Sequence, residues 1–500
     1  MRAGPREWIG LAVLALPCLL YSMDLTVLYM AVPKLSADLH PSSVQLLWIT
    51  DIYGFMLAGL LLTMGSLGDR IGRRRLLLIG AFAFGVTSLV AAFSTSAPML
   101  IVARALLGIA GATLAPSTLS LLRGMFADAR QRTFAVGVWI ASFSLGAAIG
   151  PLVGGALLEH FWWGSVFLVA VPIMGLLLVL GPLLLPEHRD PASTRLDLVS
   201  AAISLVALLG VIYALKEIAR SGLDSAAVAA LAVGLGAGVA FVRRQQRLVN
   251  PLLDLGLFRS PAFSSAIGSM LAAVFVIDGT FLFLAQYLQL ISDKTPLIAA
   301  VWLLPATGGL VAGSMLAPLL TGRIAAGHVL VGGLLAAAAG VAVLTQIEPG
   351  HTLLPLAAGS LVMGIGSGVV GTLATDFVVG AAPSERAGAA SAISETGAEL
   401  GGALGIAVLG SVGLAVYRTH LGDTLPSALT AAQEHDATST LAGATSTSRD
   451  LSPPASGELF DAAARAFTDS LQTVAASAAV VTLVIAVLAG VLLRRTRPAA

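Results

Sequence analysis

The amino-acid sequence predicts an all-α integral membrane protein with 14 transmembrane helices, arranged as two six-helix bundles plus two extra central helices. Hydrophobic residues make up 57% of the 500 residues and charged residues only 11%, with a mean hydropathy of +0.91. Charge is absent over stretches of about 20 residues, the helical length that crosses a hydrocarbon core of about 30 Å. An ordinary soluble protein is excluded, because such chains carry about 25% charged residues.

The individual spans follow from apolar runs of membrane-crossing length, bounded by charged, proline or polar clusters. They are predicted near residues 8–32, 46–68, 76–96, 98–122, 133–157, 163–185, 197–216, 225–242, 263–290, 297–320, 327–346, 352–376, 386–414 and 471–493.

Lysine and arginine residues predict the orientation of these spans. The side that holds both termini carries 20 of the 28 basic residues, the other side carries seven, and Arg104 lies inside the fourth span. Because cytoplasmic loops are rich in Lys and Arg, we expect both termini in the cytoplasm. The net charge of +1 does not indicate a nucleic-acid partner. The single cysteine, Cys18, and seven histidines in predicted loops predict neither a disulfide framework nor a metal site.

An internal repeat relates the two halves of the chain. Residues 67–80 align with residues 320–333 at an offset of 253. Within one residue of this offset, Arg132 matches Arg386, and two glycine pairs match: Gly146 with Gly401 and Gly150 with Gly405. The repeat predicts two like-oriented bundles, a common plan among transporters with a midplane site.

The predicted domains follow from this repeat. They are the amino-terminal bundle at 1–190, the extra helix pair with a cytoplasmic linker at 191–260, and the carboxy-terminal bundle at 261–500. The polar segment 415–470 is predicted to be a long extracellular loop with one helix at 457–469; a tolerated insertion and a functional lid both fit it.

The loop between the second and third spans carries a family motif. Residues 65–75, GSLGDRIGRRR, resemble the signature loop of the major facilitator superfamily. Gly65 permits close packing, and Asp69 with Arg70 and Arg73 could form an ion-pair latch at the cytoplasmic mouth. Alternatively, the arginines only enforce topology.

The fifth span carries a second motif. Residues 146–155, GAAIGPLVGG, resemble the motif of the superfamily's drug:proton antiporters. Gly146, Gly150 and Gly154 would allow close helix approach, and Pro151 removes a backbone donor and bends the helix. An ordinary tightly packed helix without a role in transport direction would have the same sequence pattern.

Further fragments resemble the fourteen-span antiporters that export quaternary ammonium compounds, dyes and cationic antiseptics. These fragments are residues 22–33, 46–59, 104–123, 150–161 and 388–405. The resemblance implies proton-coupled efflux of lipophilic cations by alternating access across the bacterial cytoplasmic membrane. The resemblance also implies that protons are the coupling ion and that no cofactor is needed. It further implies that the protein is a monomer surrounded by membrane lipid. A sequence without a Walker-type phosphate loop also argues against direct coupling to ATP.

Five acidic residues lie well within predicted spans: Asp24, Asp51, Asp278, Glu395 and Glu399. A carboxylate at that depth costs at least about 2.5 kcal/mol, so each needs an explanation. The resemblance implies a proton- and substrate-coupling role for Asp24, against a structural hydrogen bond. Asp51, near the outer end of its span, could instead reach headgroup water.

The pair Glu395 and Glu399 has the i, i+4 spacing that places both on one helix face, where paired carboxylates tend to share protons. The resemblance puts acids at both positions of the quaternary ammonium exporters, which predicts a proton and cation site. Asp278 could contribute to that site or pair with a local backbone group. Arg104, at similar depth, requires a carboxylate or a cluster of backbone carbonyls as its partner.

Aromatic side chains on these spans could hold a flat lipophilic cation, although most membrane aromatics are packing or interface residues. The candidates are Tyr29, Trp48, Tyr53, Trp139, Phe143, Phe281, Tyr287 and Trp302. Two other functions stay open: a dedicated exporter of one antibiotic or metabolite, and a non-transporting membrane receptor or scaffold. An enzyme is not expected, since no nucleophile with a base, and no metal-ligand cluster, is recognisable.

Overall fold

The computed structural model describes residues 3–41, 43–187, 197–221, 224–248, 251, 253, 255–294, 296–349, 352–381, 387–426 and 429–494. These residues are helical or irregular, and no β-strand occurs among them. The helices of the first half are α1 Pro5–Leu39, α2 Ser43–Ile71, α3 Arg73–Ala92, α4 Ala97–Gly111, α5 Leu114–Met125, α6 Ala129–His160, α7 Ser165–Leu168 and α8 Ala170–Leu184. The others are α9 Leu198–Ser221, α10 Ser225–Gln245, α11 Pro261–Gln286, α12 Pro296–Thr321, α13 Ala326–Leu344, α14 Leu354–Ala381, α15 Ala387–Gly422, α16 Ala431–Ser439, α17 Leu441–Asp450 and α18 Ala455–Arg494.

The described residues contain 12 helical segments long and apolar enough to cross a membrane, or 13 if the bent α2 is one span. Helix α2 bends by 55° between Ile52–Leu61 and Thr63–Ile71. Helix α9 extends over Leu198–Ser221, and its apolar part, Val199–Leu215, is shorter than the 12 segments that were counted. The predicted count of 14 is therefore not confirmed.

The buried hydrophobic side chains form separate clusters in the two halves of the molecule, as expected for two bundles. One cluster of buried side chains runs through α1–α8 and includes Val379 of α14. Two further clusters lie mainly within α11–α18. A small cluster of Phe55, Ala58 and Ile212, with Leu400 packed against it, joins α9 to α2 and α15. The extra pair α9–α10 thus contacts both halves; the boundaries near 190 and 260 stay predictions.

Glycines set the closest helix contacts in each half, at positions that the repeat relates. In α6, a Cβ on Gly146 or Gly150 would collide with atoms of Leu19 or Thr26 in α1. In α15, a Cβ on Gly401 or Gly405 would collide with backbone atoms of α11. The same residue type therefore lets the same pair of helices approach in both bundles.

The segment 415–470 is mostly helical, which corrects the prediction of a loop. Helix α15 continues to Gly422, two short helices α16 and α17 follow, and α18 begins at Ala455 and continues into the last span. Tyr417 of α15 donates a hydrogen bond to the Ala437 carbonyl, 3.0 Å away. Because Ala437, Leu441 and Ala444 are buried in the carboxy-terminal core, this segment is packed onto its bundle.

Candidate functional site

A cavity of about 500 Å³ lies between the two halves of the molecule. Helices α1 and α6 line one wall, and α11, α12, α14 and α15 line the other. Neutral polar side chains such as Thr26, Ser144 and Thr307 contribute to a lining that is mostly apolar. Apolar walls with a few polar groups are typical of small-molecule sites.

Three of the predicted acids line this cavity: Asp278, Glu395 and Glu399. Glu395 and Glu399 lie one turn apart on α15. The carboxylate of Asp278, on α11, reaches the α15 backbone so closely that a Cβ on Gly402 would collide with it. No Lys, Arg or His is among the described residues that line the cavity. The charge of these described lining residues therefore suits a cation or protons rather than an anion.

Aromatic rings complete the wall opposite these acids. The ring centroids of Tyr21 and Phe143 are 5.2 Å apart, and those of Trp139 and Phe143 are 4.6 Å apart, both edge-to-face. The Tyr21 hydroxyl donates to Glu399 Oε1 over 3.3 Å, which joins α1 to α15 across the cavity. The aromatic faces and carboxylates together suit a flat organic cation.

Several predicted residues lie elsewhere. Of the aromatic candidates, Trp139, Phe143 and Phe281 line the cavity, whereas Trp48, Tyr53, Tyr287 and Trp302 do not. The side chains of Tyr29, Asp51 and Pro151 lie outside the described part of the structure. Tyr21 was missed by the sequence analysis; its position one turn before a buried aspartate was the available signal.

Asp24 and Arg104 form a buried ion pair beside the cavity rather than within it. Arg104 is only 1% exposed, and its Nε also donates to the Ile49 carbonyl over 3.2 Å. Its guanidinium carbon lies 4.7 Å from the ring centroid of Tyr53, a cation–π contact. Arg104 thus has both kinds of partner expected for an arginine at this depth, a carboxylate and a backbone carbonyl.

A chain of contacts connects this ion pair to the cavity. The Tyr53 ring lies against Arg104, and the Tyr53 hydroxyl donates to the Tyr21 carbonyl over 3.4 Å. The Tyr21 hydroxyl in turn contacts Glu399. The Asp24–Arg104 pair is therefore connected to the cavity acid Glu399 through Tyr53 and Tyr21.

The GSLGDRIGRRR motif forms an ion pair within its own loop. Arg73 Nη2 lies 2.8 Å from Asp69 Oδ1, and both residues are buried. Gly65 is also buried, and Arg70 lies in the last turn of α2. The Asp69–Arg73 pair joins the end of α2 to the start of α3, so this contact lies inside the amino-terminal half.

The start of α3 is held by a residue that the sequence analysis missed. The Glu187 carboxylate accepts hydrogen bonds from the backbone N–H groups of Arg74 and Arg75, each 3.2 Å away. A carboxylate there is favourable because a helix amino terminus carries partial positive charge. Gly72 has φ of +107°, and a Cβ there would lie 2.7 Å from a Glu187 oxygen, which explains the glycine.

A contact between the two halves involves Asp376, also missed from the sequence. Arg132 Nε of α6 donates to Asp376 Oδ1 of α14 over 2.7 Å, and Thr133 donates to the other carboxylate oxygen over 2.8 Å. Asp128 fixes the start of α6 by accepting from the Gln131 N–H, which lowers the pKa of the Asp128 carboxyl. Asp376 is the last residue of the predicted span 352–376, and an acid at the end of a span can also reach headgroup water. The sequence analysis therefore did not single it out.

Known proteins are similar to this chain over most of its length. The family model described as Major Facilitator Superfamily matches residues 14–406. The multidrug efflux pump LfrA of Mycolicibacterium smegmatis is 44% identical over 99% of this chain and 98% of its own length. The methyl viologen resistance protein SmvA of Salmonella typhimurium is 35% identical over 96% of this chain and 97% of its own.

Solved structures show the same fold at low sequence identity. The crystal structure of the human organic anion transporter MFSD10 (TETRAN) aligns with a TM-score of 0.63 at 15% identity, over 97% of this chain and all of that one.

Proposed function

Because this chain belongs to the major facilitator superfamily, as its matches along most of its length show, we propose that it exports lipophilic cations in exchange for protons. It is a membrane transporter of the drug-efflux type rather than an enzyme. The proposed substrates are quaternary ammonium compounds, cationic dyes and cationic antiseptics. The proposed direction is outward across the bacterial cytoplasmic membrane, with both termini in the cytoplasm and the monomer as the working unit.

The observation that carries this proposal is the charge of the central cavity. Asp278, Glu395 and Glu399 line it together, and the described lining residues include no basic side chain. A cation and protons would compete for the same carboxylates, and such competition is the simplest physical basis for antiport. The relative named for resistance to methyl viologen, an organic cation, agrees with this substrate class.

The energetics of the exchange are favourable under ordinary gradients. Exporting a monovalent cation against 100 mV costs about 2.3 kcal/mol, and an entering proton releases the same amount. The pH gradient then supplies about 1.36 kcal/mol per pH unit, which corresponds to a tenfold concentration of the cation. Three carboxylates in one cavity would allow more than one proton per cycle.

The test is ethidium transport in proteoliposomes under an imposed pH gradient, comparing the native chain with Glu395→Gln. Glutamine keeps the shape but cannot exchange a proton, so we expect gradient-driven flux to fall by about tenfold or more. Glu159→Gln is the matched control, because Glu159 is exposed at the end of α6 and should not affect flux.

Each alternative has its own outcome in this experiment. Unchanged flux in Glu395→Gln would remove Glu395 from the coupling site. Ethidium flux that ignores the pH gradient would contradict proton coupling. Absence of ethidium flux in the native chain would favour a dedicated exporter of one compound or a non-transporting role.

A further inference from the structure

A second cavity lies between α9 and α10, separate from the central one. Its volume is about 630 Å³. Its walls are apolar side chains of the two helices, with Leu400 of α15 at its inner side and glycines Gly234 and Gly238 along α10. Arg243 and Gln246 lie at one end. We call this cavity the α9–α10 groove.

The dimensions of the groove match one leaflet of a bilayer. With a rise of 1.5 Å per residue, the distance along α10 from Gly234 to Arg243 is about 14 Å. Half of a hydrocarbon core of about 30 Å is about 15 Å. Gly234 lies near the middle of α10, so with α10 centred in the bilayer the apolar part would extend from the bilayer centre to the headgroup layer at the arginine end.

The two neighbouring arginines at that end have different environments. Arg244 is held by Asp197, with Nη2 2.9 Å from Oδ2, and its Nε lies 3.0 Å from Ser200 Oγ. Arg243 is exposed and makes no hydrogen bond or ion pair with any residue in the described part of the chain. Its guanidinium is therefore available to an anion at the mouth of an apolar groove.

We propose that the α9–α10 groove binds one anionic glycerophospholipid, with an acyl chain along α10 between Gly234 and Val242 and its phosphate on Arg243. Basic residues beside grooves between transmembrane helices provide the chemistry that anionic headgroups require. The lipid would touch Leu400, which follows Glu399 of the central cavity on the same helix. A bound lipid thus contacts the helix that carries two cavity acids.

The test is native mass spectrometry of the full chain, purified in detergent and supplied with phosphatidylglycerol or phosphatidylcholine. We expect one tightly held phosphatidylglycerol per chain and weaker retention of phosphatidylcholine. Arg243→Gln should reduce phosphatidylglycerol affinity about fivefold, the effect of one basic residue near an anionic headgroup. Gly238→Leu should fill the groove and abolish the tight site.

The chain offers a matched control for each variant. Arg247→Gln removes an exposed arginine that does not line the groove, and it should leave the affinity unchanged. Gly236 has open space around it, as Gly238 has, but does not line the groove; Gly236→Leu should therefore retain the lipid. Thermal unfolding of each variant separates lost binding from lost folding, and Arg243→Gln changes only an exposed side chain.

Four results would overturn the proposal. Equal retention of both lipids would show that no headgroup is recognised, and equal losses in Arg243→Gln and Arg247→Gln would show only general surface charge. Displacement of the lipid by inorganic phosphate alone would indicate a phosphate site without an acyl chain. Displacement by ethidium would indicate a substrate entry groove instead.

Discussion

At the scale of single residues, Arg104 is held by several partners at once. Its charge is buried, and Asp24 is its ion-pair partner. Breaking a buried pair by removing one partner typically costs about 3 to 5 kcal/mol, because the remaining charge is left uncompensated. We expect Asp24→Asn to be destabilised by an amount of this order, measured by thermal unfolding in detergent.

The double variant Asp24→Asn with Arg104→Gln is the control for this prediction. Removing both charges leaves no unpaired ion, so stability should recover substantially relative to Asp24→Asn alone. If the double variant is as unstable as the sum of the two single changes, the pair is not coupled. Loss of transport in Asp24→Asn would thus be interpreted together with its stability.

The sequence predicted individual residues where an apolar run made a charge conspicuous. Arg104 and the cavity acids Asp278, Glu395 and Glu399 stand out for that reason. Tyr21 did not, because its contact with Glu399 joins residues 378 positions apart. Glu187 was missed because its role depends on where the start of α3 lies in space.

At the scale of helices, α6 and α14 are tied together by Arg132, Thr133 and Asp376. Hydrogen bonds to a charged group contribute about 1.5 to 3 kcal/mol, and here they favour the arrangement in which these helix ends meet. We expect Asp376→Arg and Arg132→Asp each to lower the ethidium transport rate. The charge swap that combines them should recover part of it.

The single variants serve as controls for the swap, since each places like charges together. A swap that transports no better than the worse single variant would contradict a direct role of the ion pair. Thr133→Val tests the neutral hydrogen bond to the same carboxylate and should have the smaller effect.

The helices of segment 415–470 show why an element can be missed. A search for apolar runs passes over residues rich in Ser, Thr and Ala, so it predicts a loop. The local signals were present: Thr430 and Gln433 form a capping box at the start of α16, and the Thr440 hydroxyl caps α17. Helix α9, predicted as a span at residues 197–216, forms over Leu198–Ser221, and its crossing of the membrane stays a prediction.

At the scale of the whole molecule, the repeat was the most informative sequence feature. It predicted two related bundles, and the glycine contacts of α6 with α1 and of α15 with α11 agree with it. The repeat could not predict how the bundles are arranged relative to each other. That depends on small free-energy differences between states with nearly the same contacts inside each half.

The packing of α6 on α12 gives a direct test of movement between the halves. A Cβ on Gly137 of α6 would lie 2.5 Å from the Ser314 carbonyl oxygen of α12, so a larger side chain there must separate the helices. Overpacking of this kind typically costs about 1 to 3 kcal/mol. We expect Gly137→Val to shift the population away from the arrangement in the structure. Double electron–electron resonance can measure the distance between spin labels at Arg130→Cys and Ala325→Cys in a Cys18→Ser background. This distance should be longer in Gly137→Val than in the native chain. Gly155→Val is the control, because Gly155 on the same helix has open space around it; if both variants give the native distance, contact at Gly137 does not limit the movement.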